Sequence, residues 1–252
     1  MVFTTIAFYE TTGAATVLVE QNPCADDHVT VGADLIVVPE LNNLMAVMAF
    51  GVDTTRAQIA SPHLRKLGYH ELSKVSLAAD PIPGVERLED YSEAPLPLIH
   101  GESLQFRSST TAANITQAIL WLSDGAVLPI KEPQRTIMYT FATVTPAGAW
   151  TPVVLVATQV LPAGRYAVVG MQVITATVQH AARLVPIAHP WRPGVPTNLR
   201  ATADLSDKFR NGNKGVFCEF EFDQPPGLQL MGTGASGAGE LYLDIVQIRE
   251  GR

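Results

Sequence analysis

Glu219, Glu221 and Asp223 are spaced two apart, which in a strand puts three carboxylates on one face. Such a row could move protons or hold calcium. The alternate positions, Val216, Cys218, Phe220 and Phe222, would form the apolar inner face. That pattern is also what a strand with one wet face carries, and this is the reading adopted. Asp26-Asp27-His28 groups two carboxylates and an imidazole, which suits a metal, but one short loop cluster is weak support for a site. The six histidines, His28, His63, His70, His100, His180 and His189, form neither H-x-H nor H-E-x-x-H. A cupin-type metal enzyme would need the first of these. His180 reads as a hydrogen-bonded core or interface residue, and His63 and His70 as exposed residues flanking a short helix.

Gly232-Thr233-Gly234-Ala235-Ser236-Gly237 matches G-x-G-x-x-G. A dinucleotide site needs that loop to open a helix whose N-terminus meets the pyrophosphate. Glu240–Ile248 reads as strand, so a flexible loop between antiparallel strands is expected and no nucleotide is. Ser236 is not in a G-x-S-x-G elbow. The chain is therefore read as a non-enzyme without cofactor or metal. His189-Pro190-Trp191-Arg192-Pro193-Gly194 is a proline-stiffened loop with two residue types favoured in contacts. It suits a subunit contact, a sugar stacked on Trp191, or a plug for the end of its own sandwich. Asn114-Ile115-Thr116 is a glycosylation sequon by pattern alone.

The elements that must position these residues are strands. Nineteen glycines and 18 prolines cut the chain into short pieces rich in Val, Ile, Thr, Phe and Tyr. Expected strands are 2–9, 15–20, 29–38, 46–52, 103–107, 115–122, 136–144, 151–160, 166–184, 215–223 and 240–249. No strand–helix alternation appears, so the fold class is all-β, an antiparallel sandwich or jelly roll. One short helix is expected over 62–67, with Ser61 as N-cap, Pro62 at the first position and Gly68 closing it. Tyr166–Leu184 is apolar on both faces and too long for one strand. It should bend near Gly170 or at 175–177, and both faces need cover from a second domain or another subunit.

The proline-rich acidic run 80–101 reads as an interdomain connection, giving an N-terminal β domain over 1–98 and a jelly-roll-like sandwich over 99–252. A faint internal echo supports two domains. Leu44-Met45-Ala46-Val47 followed by Val52 parallels Arg165-Tyr166-Ala167-Val168 followed by Val173.

Composition narrows the function. Charged residues are 16% of the 252, against roughly 25% in ordinary soluble proteins. Arg outnumbers Lys, as at protein interfaces. A net charge of −7 and the lack of a basic run argue against a nucleic-acid coat. The N-terminus lacks the pattern of a signal peptide, and charged or polar residues interrupt the one long apolar run, so neither export nor a membrane span is expected. Cys24 and Cys218 read as free buried thiols of a reducing compartment.

On the long, nearly uncharged run Leu161–Val195 and the short strands spaced across 101–252, the chain resembles viral coat proteins of the jelly-roll type. Read as two domains, it is similar to the double jelly-roll capsid lineage. That resemblance implies a self-assembling structural protein of the virion, forming trimers or a larger shell with other virion proteins, made in the host cytoplasm. The expected subunit interface is Tyr166, Val168, Met171, Trp191 and Arg192. The alternatives are a carbohydrate-binding β-sandwich using Trp121, Trp150 or Trp191, a minor virion or tail attachment protein, and an enzyme built on the carboxylates above.

Overall fold

The computed structural model describes residues 2–12, 15–51, 54–67, 70–72, 88–110, 114–125, 133–146, 148–177, 181–199, 216–232 and 234–250. The chain is all-β and divides into two compact units, Ile6–Gly125 and Ala126–Arg252, with Met1–Thr5 belonging to the second.

The strands of the first unit are β1 (Phe3–Thr12, entering from the second unit), β2 (Ala15–Glu20), β3 (Ile36–Val37), β4 (Asn43–Gly51), β5 (Thr54–Ala60), β6 (His70–Leu72), β7 (Leu88–Asp90), β8 (Leu96–Pro97), β9 (Ser103–Thr110) and β10 (Asn114–Ser123). They form two sheets. One runs β1-β10-β4-β7, with β8 also on β4; the other runs β2-β9-β5-β6, with β3 on β9. Consecutive long strands alternate between sheets, and the first and last strands lie side by side. This is the strand order of a jelly roll. The inner positions are filled by Ile6, Phe8, Met48, Ile59, Phe106 and Trp121, all at most 1% exposed. The Phe8 and Phe106 rings meet across the two sheets at 6.0 Å.

The second unit repeats that order. Its strands are β11 (Arg135–Phe141), β12 (Thr151–Val153), β13 (Leu155–Ala157), β14 (Gly164–Thr175), β15 (Ala181–Val185), β16 (Gly194–Leu199), β17 (Cys218–Glu221), β18 (Gly227–Met231) and β19 (Gly239–Glu250). The hydrogen-bonded path is β12-β18-β15-β16-β14-β19-β11-β13, with β17 on the free edge of β14. It contains β11-β19-β14-β17 and β12-β18-β15-β16, the counterparts of β1-β10-β4-β7 and β2-β9-β5-β6. The two halves join at β16. Its residues Gly194 to Pro196 pair antiparallel with β15, and Thr197 to Leu199 pair parallel with β14. Pro196 stands at the switch, where it has no N–H to give to a ladder.

The echo in the sequence now has a place. Leu44–Val47 lies in β4 and Arg165–Val168 in β14, which hold the same place in the matched strand orders and are flanked by equivalent neighbours. The domain limits differ from the expected 1–98 and 99–252. The division falls after Gly125 because β10 pairs with β4 from Thr116↔Gly51 to Ser123↔Asn43, and β9 pairs with β5. The proline-rich run is no linker in its described part. Leu88–Asp90 and Leu96–Pro97 both pair with β4 as short strands within the first unit.

Local chemistry explains several elements. The helix α1 (Pro62–Leu67) starts where Leu64 N donates to the Ser61 hydroxyl at 3.0 Å, an N-cap. Glu102 accepts from His63 N at 3.0 Å and Ile99 N at 2.9 Å, fastening that helix to the neighbouring turn. Gly68 and His180 lie outside the described residues. The expected bend in 166–184 occurs after Thr175, and Gly170 instead marks a bulge opposite Asp244. A Cβ on Gly170 would sit 2.7 Å from Asp244 Oδ2.

The 232–237 loop connects β18 to β19, which lie in different halves of the unit. It is tied down. Ser236 is fully buried; Ser236 N donates to Val144 O at 2.9 Å, and Ala176 N donates to Ser236 O at 2.8 Å. Gly237 has φ +65°, and a Cβ there would lie 2.5 Å from the Ala176 Cβ. The left-handed backbone alone costs a side chain roughly 1–2 kcal/mol. Gly237→Ala should therefore lower the urea-unfolding free energy by more than about 1 kcal/mol, whereas a change within about 0.5 kcal/mol would contradict this packing.

Candidate subunit-contact site

The expected contact residues come from β14 and the loop between β15 and β16. Tyr166 is 4% exposed, and Val168 and Met171 are fully buried. Tyr166 stacks on Phe220 with ring centroids 5.8 Å apart and donates its hydroxyl to Pro162 O at 2.8 Å. Both faces of β14 are thus covered within the folded chain. Of the two covers expected, a second domain or another subunit, the second is not needed for Tyr166, Val168 and Met171. Trp191 and Arg192 are half-buried and keep an accessible surface.

The loop carrying them is anchored through its backbone. Arg192 N donates to Thr4 Oγ1 at 3.2 Å, and Thr5 N donates to Arg192 O at 2.8 Å. Below it, Phe3 meets Phe217 edge-on at 4.9 Å. Phe217 is therefore buried, although the alternation in the sequence places it on the wet side. Phe222 is 42% exposed because the strand ends at Glu221.

Next to the loop is a cleft of about 210 Å³ lined by Arg165, Ile187, Glu219, Phe220, Gln224 and Pro226 among others. Arg165 Nη2 lies 2.7 Å from Glu219 Oε2, with both side chains about two-fifths exposed. A pair so open to solvent contributes little to stability. It does account for Glu219, which is committed to an arginine. Glu221 is exposed at the strand end and Asp223 lies beyond it, so the carboxylate row is a solvated edge.

Asp26, Asp27 and His28 bring one ligand atom each to within 4.8 Å of one another, close enough to share a cation. The Asp26 and His28 side chains are 1–2% exposed and hydrogen-bonded at 2.5 Å, while Asp27 is 57% exposed and 3.5 Å from His28. The imidazole is thus paired with Asp26. The glycine-rich loop opens a strand, not a helix, so it lacks the geometry a pyrophosphate needs. Trp121 is fully buried and Trp150 is 9% exposed, so of the three tryptophans only Trp191 offers a partly accessible ring to a sugar.

Arg183 was legible only as an interruption of an apolar run, yet it is the buried cation of the second unit. It is 1% exposed, donates from Nε to Gln229 Oε1 at 2.7 Å, and stacks over Trp150 at 4.1 Å. An arginine in an otherwise apolar strand was the available signal. Arginine suits such a site because its charge is delocalised over a plane that stacks on an aromatic ring.

Cys24 and Cys218 are both buried and form no disulfide. Burial, assisted by Glu219, pushes the Cys218 thiol up to about 12. An Ellman titration at pH 8 should find Cys218 unreactive in the folded chain and reactive in guanidinium; prompt reaction under native conditions would contradict this burial.

No protein-family model matches the chain, and no curated protein matches it.

His189, at the start of the anchored loop, has its pKa lowered from 6.5 by burial and then by Arg192, against smaller raising effects of the Trp191 backbone and Glu219. Below about pH 6.5 the unfolded chain takes up a proton that the folded chain resists, so the stability present above that pH is lost as pH falls. Denaturant melts at pH 7.5 and 5.5 should show a smaller acid loss in His189→Gln than in the wild type. Equal losses would exclude His189 as a contributor.

Proposed function

We propose that this chain is a structural coat subunit that assembles with copies of itself into a trimer or larger shell, without catalytic activity. The observation that carries this reading is the tandem of two units with one jelly-roll strand order, each strand of the core finding its counterpart in the other unit. Such a chain resembles the double jelly-roll capsid lineage throughout its length, and not only across 101–252. The reading rests on fold analogy, since a fold alone can host many functions.

The physical character of the chain supports a building block. The charge content of 16% leaves much of the surface uncharged. Among the described residues, no helix is long and apolar enough to cross a membrane. Trp191 and Arg192 remain the accessible members of the expected interface. They sit on a loop whose backbone is already fixed, so docking would order few new groups.

Thermal melts over a hundredfold dilution series test the reading. An assembled subunit is stabilised by mass action, so its midpoint should rise with concentration. Trp191→Ala should weaken that dependence. A midpoint independent of concentration, from a species that stays monomeric, would overturn self-assembly and the coat reading together.

A further inference from the structure

The coat reading makes no use of the cleft beside the 189–192 loop, and the lining of that cleft has a chemistry of its own. Pro186, Phe220 and Pro226 are buried and give it an apolar floor, with Ile187 exposed at its rim. Phe220 is held in place by its stack on Tyr166. The volume, about 210 Å³, is below the roughly 300–1,000 Å³ of sites that take a drug-sized ligand or a cofactor. It suits one long side chain.

The charged groups of the lining are Arg165, Glu219 and Glu221, one cation against two carboxylates. In the β14–β17 ladder Arg165 lies opposite Glu221, yet its guanidinium is bonded to Glu219 at 2.7 Å. That leaves Glu221 with no ion-pair partner among the described residues. The turn that carries Glu221 is fixed. Gln224 N donates to Glu221 O at 2.8 Å, and Phe222 N donates to Gly164 O at 3.0 Å. The cleft therefore combines an apolar floor, an aromatic ring, a surplus carboxylate and the Gln224 amide.

We propose that this cleft binds the arginine side chain of another polypeptide. The surplus carboxylate selects a cation, and the net charge of −7 favours the approach of a basic segment. The apolar floor selects a cation on a long aliphatic stem, which a metal ion or a small amine lacks. The Phe220 ring and the two acceptors, the Glu221 carboxylate and the Gln224 amide oxygen, select guanidinium over ammonium. Guanidinium is planar, stacks on aromatic rings and presents five donors in a fixed fork. A peptide-linked arginine fits better than the free amino acid, whose own α-carboxylate would face the surplus negative charge. The site lies within the second unit and does not depend on the coat reading.

An NMR titration of the isotope-labelled full chain with Nα-acetyl-arginine N-methylamide tests this. Saturable shifts should centre on residues 186–188 and 219–226, with a dissociation constant on the order of 1 mM. The lysine analogue should bind weaker by about twofold or more. The norleucine analogue, with a stem but no charge, should not saturate in that range. Glu221→Gln should weaken arginine binding by about threefold or more. Arg165→Met releases Glu219 and should tighten binding by about twofold or more, a gain that a damaged fold would not produce. Both positions are exposed, so neither change threatens the core. No saturation at about ten times the expected constant, shifts centred elsewhere, or unchanged affinity in Glu221→Gln would overturn the site. Equal binding of the lysine analogue would overturn the choice of arginine, and weaker binding in Arg165→Met would contradict the role given to Glu219.

Discussion

A strand that is apolar on both faces has to be covered on both, and two such strands govern this molecule. In β4, Leu44 to Ala49 are six consecutive residues at most 1% exposed. In β14, Ala167 to Val173 are buried without interruption. Burying one such side chain is worth roughly 1.5–3 kcal/mol against exposure, so either strand on an open sheet would be an aggregation site. Each therefore sits inside its sheet. β4 lies between β10 and β7, and β14 between β19 on one side and β17 and β16 on the other. The alternation of consecutive strands between sheets follows, since a second sheet must close over the first.

Within this apolar frame several buried polar groups sit in specific pairs. Asp244 is 5% exposed, accepts from Thr136 Oγ1 at 2.6 Å, and fits because Gly170 opposite it has no side chain. Thr175 and Thr197 face each other at 3.3 Å where β14 and β16 run parallel. Arg183 is held by Gln229 and the Trp150 ring. A buried polar group left unmatched costs about 1–3 kcal/mol, so these pairings fix register as well as satisfy charge. The Asp244 pair lies at a bulge and the Thr175–Thr197 pair where β16 changes partner, while Arg183 and Gln229 are directly opposed in the regular β15–β18 ladder.

How much of this was legible varies with the strength of the local signal. Ala15–Glu20 and Pro62–Leu67 follow directly from alternation and from a capped helix start. The faint echo between Leu44–Val47 and Arg165–Val168 falls on strands that the strand order makes equivalent. The strands that escaped include Thr54–Ala60 and Gly227–Met231, whose mixed polar and apolar residues carry no strong strand signal, and others that were short or carried proline. Leu88–Asp90 and Leu96–Pro97 lie in a run that reads as linker, and Gly194–Leu199 contains Pro196. Proline is tolerated at Pro97 and Pro196 because the strand lies at an edge or changes partner there. The candidate contact site was less legible. Alternation shows that a face is apolar but not which neighbour covers it, so Tyr166, Val168 and Met171 read as interface although the same chain buries them.

One strand order used twice in a single chain is a feature that a lone domain does not require. It is expected of a repeated building block whose contacts are made with other copies. Electron microscopy of the purified protein at high concentration tests that claim most directly. The account predicts closed, symmetric assemblies in which every subunit contributes two β-sandwiches. Single unassociated chains at the highest attainable concentration would contradict it.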